Sequence, residues 1–230
     1  METGDNSNVQ TKREKNFYIG TTKIIVPRAR TTMENFMKEG LIEDWDLFEK
    51  IVEHSYENIL YSNPSEHPVL FSESAWNDRG RREKLTELMF EKFQVPAYYL
   101  SKNVVLSCFA QGRTHGLMVD SGASQTSTLF SNVTVTGGNS LILGFTERLN
   151  YALATKCPPT IKLRVFAAPT PQERKYGAWI GGSILGSLVC SIQYKARDKR
   201  YIFQGTFQQM WVSKAEYDET GKVIVDKKCP

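Results

Sequence analysis

Long apolar runs are missing from this sequence: none approaches the ~20 residues that a membrane-crossing helix requires. The opening residues Met1–Lys15 are polar and charged, without the apolar stretch of a secretory leader, so the expected compartment is the cytosol or nucleus. Histidine is scarce, and His54, His67 and His115 show no metal-ligand spacing. Cys108, Cys157, Cys190 and Cys229 lie far apart and make no C-x-x-C, which argues against a zinc site or a disulfide frame; in a reducing compartment they read as buried or free thiols. A Gly-x-Ser-x-Gly nucleophile elbow is absent, as are internal repeats and low-complexity tracts. What is present is ordinary for a globular protein: 230 residues, 40% apolar and 23% charged.

The net charge of +4 is concentrated in one place. Val189–Gln204 holds Lys195, Arg197, Lys199 and Arg200 against Asp198, and without it the chain would carry only +1. The basic excess is therefore one short run, read as a solvated loop, and no direct sequence-specific nucleic-acid contact is expected of it.

Periodicity predicts alternating strands and helices. Lys23–Val26, Pro68–Phe71, Ala97–Leu100, Gly116–Val119, Val133–Thr136 and Ile161–Phe166 read as strands. Asp44–Leu60, capped by Asp44, and Arg79–Phe93, stopped by Pro96, read as helices, as do Asn103–Ala110, Ser140–Leu153 and Ala178–Leu188. A short helical piece is expected from Phe207 to Trp211. This alternation points to an α/β layer fold with a mainly parallel sheet.

Two turns carry nucleotide chemistry as one of their readings. Asp120-Ser121-Gly122 and the hydroxyl-rich residues after it follow a buried strand; backbone N–H groups there can meet a phosphate, and Asp120 can hold a hydrated Mg²⁺. The same residues also make an ordinary hairpin turn. Thr136-Gly137-Gly138-Asn139-Ser140 could admit a ligand to a helix N-terminus, or simply be a capping turn.

Longer runs are more specific. Ser65–Leu70, Arg82–Glu91, Gly112–Gly116 through Asp120–Gly122, Glu173–Tyr176, Trp179–Leu185, Gly205–Trp211 and the ending Lys227–Pro230 together resemble the actin family over residues 17–230. Gly40–Asp46, Leu85–Phe90 and the final Lys-Cys-Pro resemble its nuclear actin-related branch, typified by actin-like protein six of SWI/SNF-type (BAF) chromatin remodellers and histone acetyltransferase complexes. The resemblance implies an α/β, duplicated ribonuclease-H-like fold in incomplete form. The first phosphate hairpin expected ahead of Phe17, and the block with the outer lobe of the second half expected between Phe130 and Ser131, are both missing. The implied organisation is a flexible arm (1–15), a first half ending in the second phosphate hairpin (16–130), a remnant of the second half (131–175), and a return to the first lobe (176–230). Val189–Gln204 has no counterpart. It is a whole number of codons, opens with a Val codon beginning GT, and can end TTTCAG, as a retained intron would.

Carried over residue by residue, the resemblance implies a metal-water ligand at Asp120, a phosphate turn at Ser121 and Gly122, an adenosine loop at Gly137 and Gly138, and an adenine-side Lys175. Asn103 stands where the water-orienting glutamine is expected, and Ser127 where its helper histidine is expected. The implied site is degenerate: no cofactor should bind tightly, with at most residual ATP and Mg²⁺, and no enzyme activity is expected. The implied role is that of a nuclear scaffold subunit. A groove of Phe109, Gly112, Thr114, Leu185, Leu188, Thr206 and Met210 would take an apolar helix of a remodelling ATPase, with other complex subunits and nuclear actin as further partners and no membrane contact. Leu185 reads equally well as a core residue. A truncated splice product without independent function, and an ATP-binding cytoskeletal actin, are the alternatives.

Overall fold

The computed structural model describes residues 16–112, 117–120, 133–156, 163–188, 193–195, 200–202 and 210–229. In chain order they form α1 (Thr21–Ile24), β1 (Met37–Lys38), β2 (Leu41–Ile42), α2 (Trp45–Ser55), β3 (Val69–Glu73), α3 (Arg79–Glu87), β4 (Ala97–Lys102) and α4 (Asn103–Ala110). There follow β5 (Leu117–Asp120), β6 (Val133–Thr136), α5 (Phe145–Ala154), β7 (Val165–Ala167), α6 (Pro171–Lys175) and α7 (Gly177–Leu188). The last elements are β8 (Gln193–Lys195), β9 (Arg200–Ile202), β10 (Val212–Ser213), α8 (Lys214–Thr220) and α9 (Ile224–Lys228).

Two three-stranded sheets organise the chain. In the first, β4 lies between β3, its parallel neighbour, and β10, which runs antiparallel. Ala97 to Ser101 are all buried, which is why this strand reads as an unbroken apolar run: a central strand covered on both faces has no polar side to show. Helix α3 and the π-helical turn Leu88–Lys92 link β3 to β4 and bury Leu85, Met89 and Phe90. An aromatic chain crosses this core. Phe71 and Phe90 lie 6.4 and 6.1 Å from Tyr98, and Phe90 stacks on Tyr217 at 4.6 Å.

The C-terminal segment returns to this first sheet, although it is remote in sequence. Arg82, nearly buried, donates from Nε to both Glu73 oxygens (3.0 and 3.1 Å) and from Nη1 to Asp226 (2.8 Å), and its Nη2 reaches the Cys229 carbonyl. Tyr217 donates to Glu91 at 2.9 Å, and Lys228 donates to the Trp211 carbonyl at 2.8 Å. The Cys229 thiol is buried and accepts from the Leu100 N–H; burial pushes its pKa up to about 11. Neither Cys108 nor Cys229 is in a disulfide, while Cys157 and Cys190 lie outside the described residues.

The second sheet, in the order β5-β6-β7, is fully parallel. Two sequence expectations change here and nearby. Lys23–Val26 is not a strand: a four-residue helix ends at Ile24, and Ile25 and Val26 stay exposed, since β-branched residues favour a strand only where a neighbour pairs with them. The helix expected over Ser140–Leu153 is broken. A 3₁₀ turn covers Gly138–Leu141, and Gly144, at φ 76°, sits in the left-handed region before α5 begins at Phe145. Helix α7 is buried on one face only, with Trp179 75% exposed.

The run Val189–Gln204 was expected to be a loop. Where it is described, the backbone forms an antiparallel hairpin with Tyr194 opposite Tyr201 and Lys195 opposite Arg200. Most of the expected Phe207–Trp211 helix lies outside the described residues; Met210 lies in a short helical turn.

Candidate functional site

The register of the second sheet sets the candidate site. Asp120 at the end of β5 is paired with Thr136 at the end of β6, so both finish at the carboxyl edge of a parallel sheet, where α/β folds hold ligands. The Thr136–Gly138 loop leaves the same edge. Gly137 takes φ 90°, a conformation that L side chains rarely adopt. Gly138 is exposed, and nothing lies within 4 Å of where its Cβ would stand.

The loop is bound to the end of α6 by one acceptor. The Arg174 carbonyl receives both the Gly137 N–H (2.7 Å) and the Thr136 hydroxyl (2.9 Å). The Arg174 side chain in turn donates to the carbonyls of Ala168 (2.6 Å) and Ser140 (3.1 Å), and the Ser140 hydroxyl donates to the Gly137 carbonyl at 2.7 Å. Lys175 follows directly and is exposed, its Nζ 5.3 Å from the Tyr176 ring centre. The geometry therefore brings Gly137, Gly138 and Lys175 together, with the Asp120 backbone one strand away.

One consequence is chemical. The Gly137 N–H, on the loop that the resemblance assigns to adenosine, already serves the Arg174 carbonyl and is closed to a ligand. Ser121 and Gly122 lie outside the described residues, as does Ser127. No group of three or more His, Cys, Asp or Glu side chains able to hold a metal occurs among the described residues, and no described helix is long and apolar enough to cross a membrane.

Arg174 was not singled out by the sequence reading as the residue that ties this loop down. The available signal was the capping box Thr170-Pro171-Gln172-Glu173, which fixes the start of α6 and hence where Arg174 falls.

Only part of the expected partner groove falls among the described residues. Helices α4 and α7 pack so closely that a Cβ on Gly181 would stand 1.6 Å from the Leu106 carbonyl oxygen. Leu185 is 2% exposed and belongs to the first core, so its place as a groove-surface anchor is corrected in favour of packing. Met210 is half-buried against that core. Phe109 is 37% exposed, and Gly112 is exposed at φ 63° just past α4. Leu188 ends α7, while Thr114 and Thr206 lie outside the described residues.

Parallel strands with helices packed beside them, and with Asp120 and a glycine loop at one carboxyl edge, place the chain in the α/β class of fold. The profile of the family named Actin matches residues 3–128 and 126–230, so the chain belongs to the actin family. The two matches meet at residues 126–128, close to where the sequence places its internal gap. Over 112 residues the chain is 40% identical to "Actin-related protein 4" of Arabidopsis thaliana; that stretch covers 49% of this chain and 25% of the relative. The likeness is to an actin-related protein, not specifically to actin-like protein six.

Proposed function

We propose that this chain is a non-catalytic, actin-related scaffold subunit of a nuclear chromatin-remodelling or histone-acetyltransferase complex of the SWI/SNF (BAF) kind, docking a helix of a partner such as the remodelling ATPase. The observation that carries the non-catalytic part is the commitment of the Gly137 N–H and Thr136 hydroxyl to Arg174. A glycine loop closed onto its own helix has fewer donors to give an adenosine, and hydrolysis further needs phosphate charge met from several sides. The nuclear role rests on the likeness to an actin-related protein and on the sequence runs that resemble that branch.

Calorimetry with Mg-ATP tests the first part, and capture of remodeller subunits by the expressed chain tests the second. The expected results are no binding tighter than millimolar and recovery of the ATPase subunit; micromolar ATP binding, or no capture, overturns the corresponding part.

A second reading has its own support. Leu143 is 100% exposed and Tyr151 74% exposed beside the second sheet, as in a truncated splice product that lacks the part covering them. Under that reading the purified chain associates non-specifically and shows no cooperative unfolding by near-UV circular dichroism.

A further inference from the structure

A cleft of about 820 Å³ opens between the segment 16–34 and α2, away from the glycine loop and from the α4–α7 groove. Its volume falls in the ~300–1,000 Å³ range of ligand-sized sites. The segment contributes Ile24 and Val26, 46% and 60% exposed, and α2 contributes Leu47 and Ile51. Apolar side chains left this open on one wall, above half-buried Leu47 and Ile51 on the other, mark a surface made for contact.

The rim is basic. Lys23, Arg28, Arg30 and Lys50 line the cleft against Glu34 alone, a balance of +3. Lys50 is paired with Glu53 at 2.7 Å, but among the described residues none of Lys23, Arg28 and Arg30 meets a carboxylate. Arg28 is held in place: its guanidinium stacks 4.0 Å over Tyr18 and donates to the Lys23 carbonyl at 2.9 Å. Arg30 takes φ 59°, a costly backbone conformation for a non-glycine residue.

We propose that this cleft docks an acidic segment of a partner protein that alternates carboxylates with apolar side chains. Charge complementarity selects the acid: three cations at the rim that meet no carboxylate among the described residues call for carboxylates, which bind guanidinium groups in paired hydrogen bonds. The apolar walls select a peptide over a nucleic acid strand or a free phosphate, neither of which would cover Ile24 and Val26.

The test is fluorescence anisotropy on the full chain with a labelled peptide alternating Glu with Leu and Phe. Binding is expected, weakening as salt rises. The double variant Lys23→Glu with Arg30→Glu, which leaves the Arg28–Tyr18 stack intact, should lose about tenfold or more in affinity. Val26→Ser should lose about threefold. These three positions are exposed, so the fold is preserved. Equal binding of a peptide with Lys in place of Glu, full displacement by single-stranded RNA, binding that appears only after residues 1–15 are removed, or unchanged affinity in both variants would each overturn the proposal.

Discussion

The two sheets of this chain solve the same packing problem to different extents. The first, β10-β4-β3, is covered on both faces by a single core in which Met89, Phe90, Val95, Tyr98, Leu100 and Val225 are fully buried or nearly so. Its edges are joined by the Arg82 network, which closes a contact between residues far apart in sequence. The second, β5-β6-β7, buries Val133 and Val135, yet α5 beside it buries none of its residues, and Leu141, Ile142, Leu143 and Tyr151 face solvent. The first region closes its own core, while the second leaves apolar side chains of α5 and of the turn before it open to solvent. The difference lies in what each sheet has to pack against: the first recruits the C-terminal segment, and the second, among the described residues, packs against α4, α5 and α6.

The largest effect should come from the junction between the regions. Gly181→Ala places a methyl group against the Leu106 carbonyl, forcing α4 and α7 apart at a cost of about 3 kcal/mol or more. Chemical denaturation measures it; a loss under about 1 kcal/mol, as for an unconstrained helical glycine, would mean that the two helices do not approach so closely.

Next is the latch of the first region. Glu73→Ala removes the most buried carboxylate partner of nearly buried Arg82 and should cost about 3 kcal/mol, with hydrogen exchange accelerating in β3, β4 and α9 but little in α5. Uniform acceleration through both regions would show that they unfold as one.

Alkali should also act on the first region. The folded pKa of Cys229 is raised from 9.0 to about 11, so its contribution is fully present below pH 9 and is lost as the pH rises toward 11. The loss should be about 2 kcal/mol. Cys229→Ala should flatten that stretch of the stability–pH profile, and an unchanged slope would assign it to other groups.

Deleting Val189–Gln204 should strengthen binding of a remodeller-derived helix about tenfold, ~1.4 kcal/mol, because the hairpin interrupts the chain between Leu188 and Thr206. Equal affinities by fluorescence anisotropy would place the hairpin clear of the groove.

The smallest effect is acidic. Hydrogen bonds from Lys50 and Lys92 hold the Glu53 carboxyl below its ordinary value. Its contribution is present above about pH 4.5 and lost as the pH falls through the depressed folded value. This exposed pair should give only about 0.5 kcal/mol, which Glu53→Gln would abolish.

Much of the first region was legible in sequence because its signals are local. Asp44 caps α2 by accepting from the Leu47 N–H at 3.0 Å, and Asn103–Ala110 forms as the pattern predicts, as does Val133–Thr136 in the second sheet. Lys23–Val26 misled because strand propensity describes a paired, half-buried surface and this segment has no pairing strand. The glycine loop was visible as Gly137-Gly138, but its closure onto Arg174 was not. That closure depends on α6 being brought to the end of β6, which no local spacing encodes.

The sequence by itself determined the order and type of most elements, the family, and the residues that could form a nucleotide loop, because capping, periodicity and glycine placement act within a few residues. Only the tertiary structure decided that Leu185 is core, that Arg82 binds the far end of the chain, and that a basic-rimmed cleft lies beside α2. Each of these depends on which surfaces meet across long sequence separations, where burial and charge pairing are settled by packing.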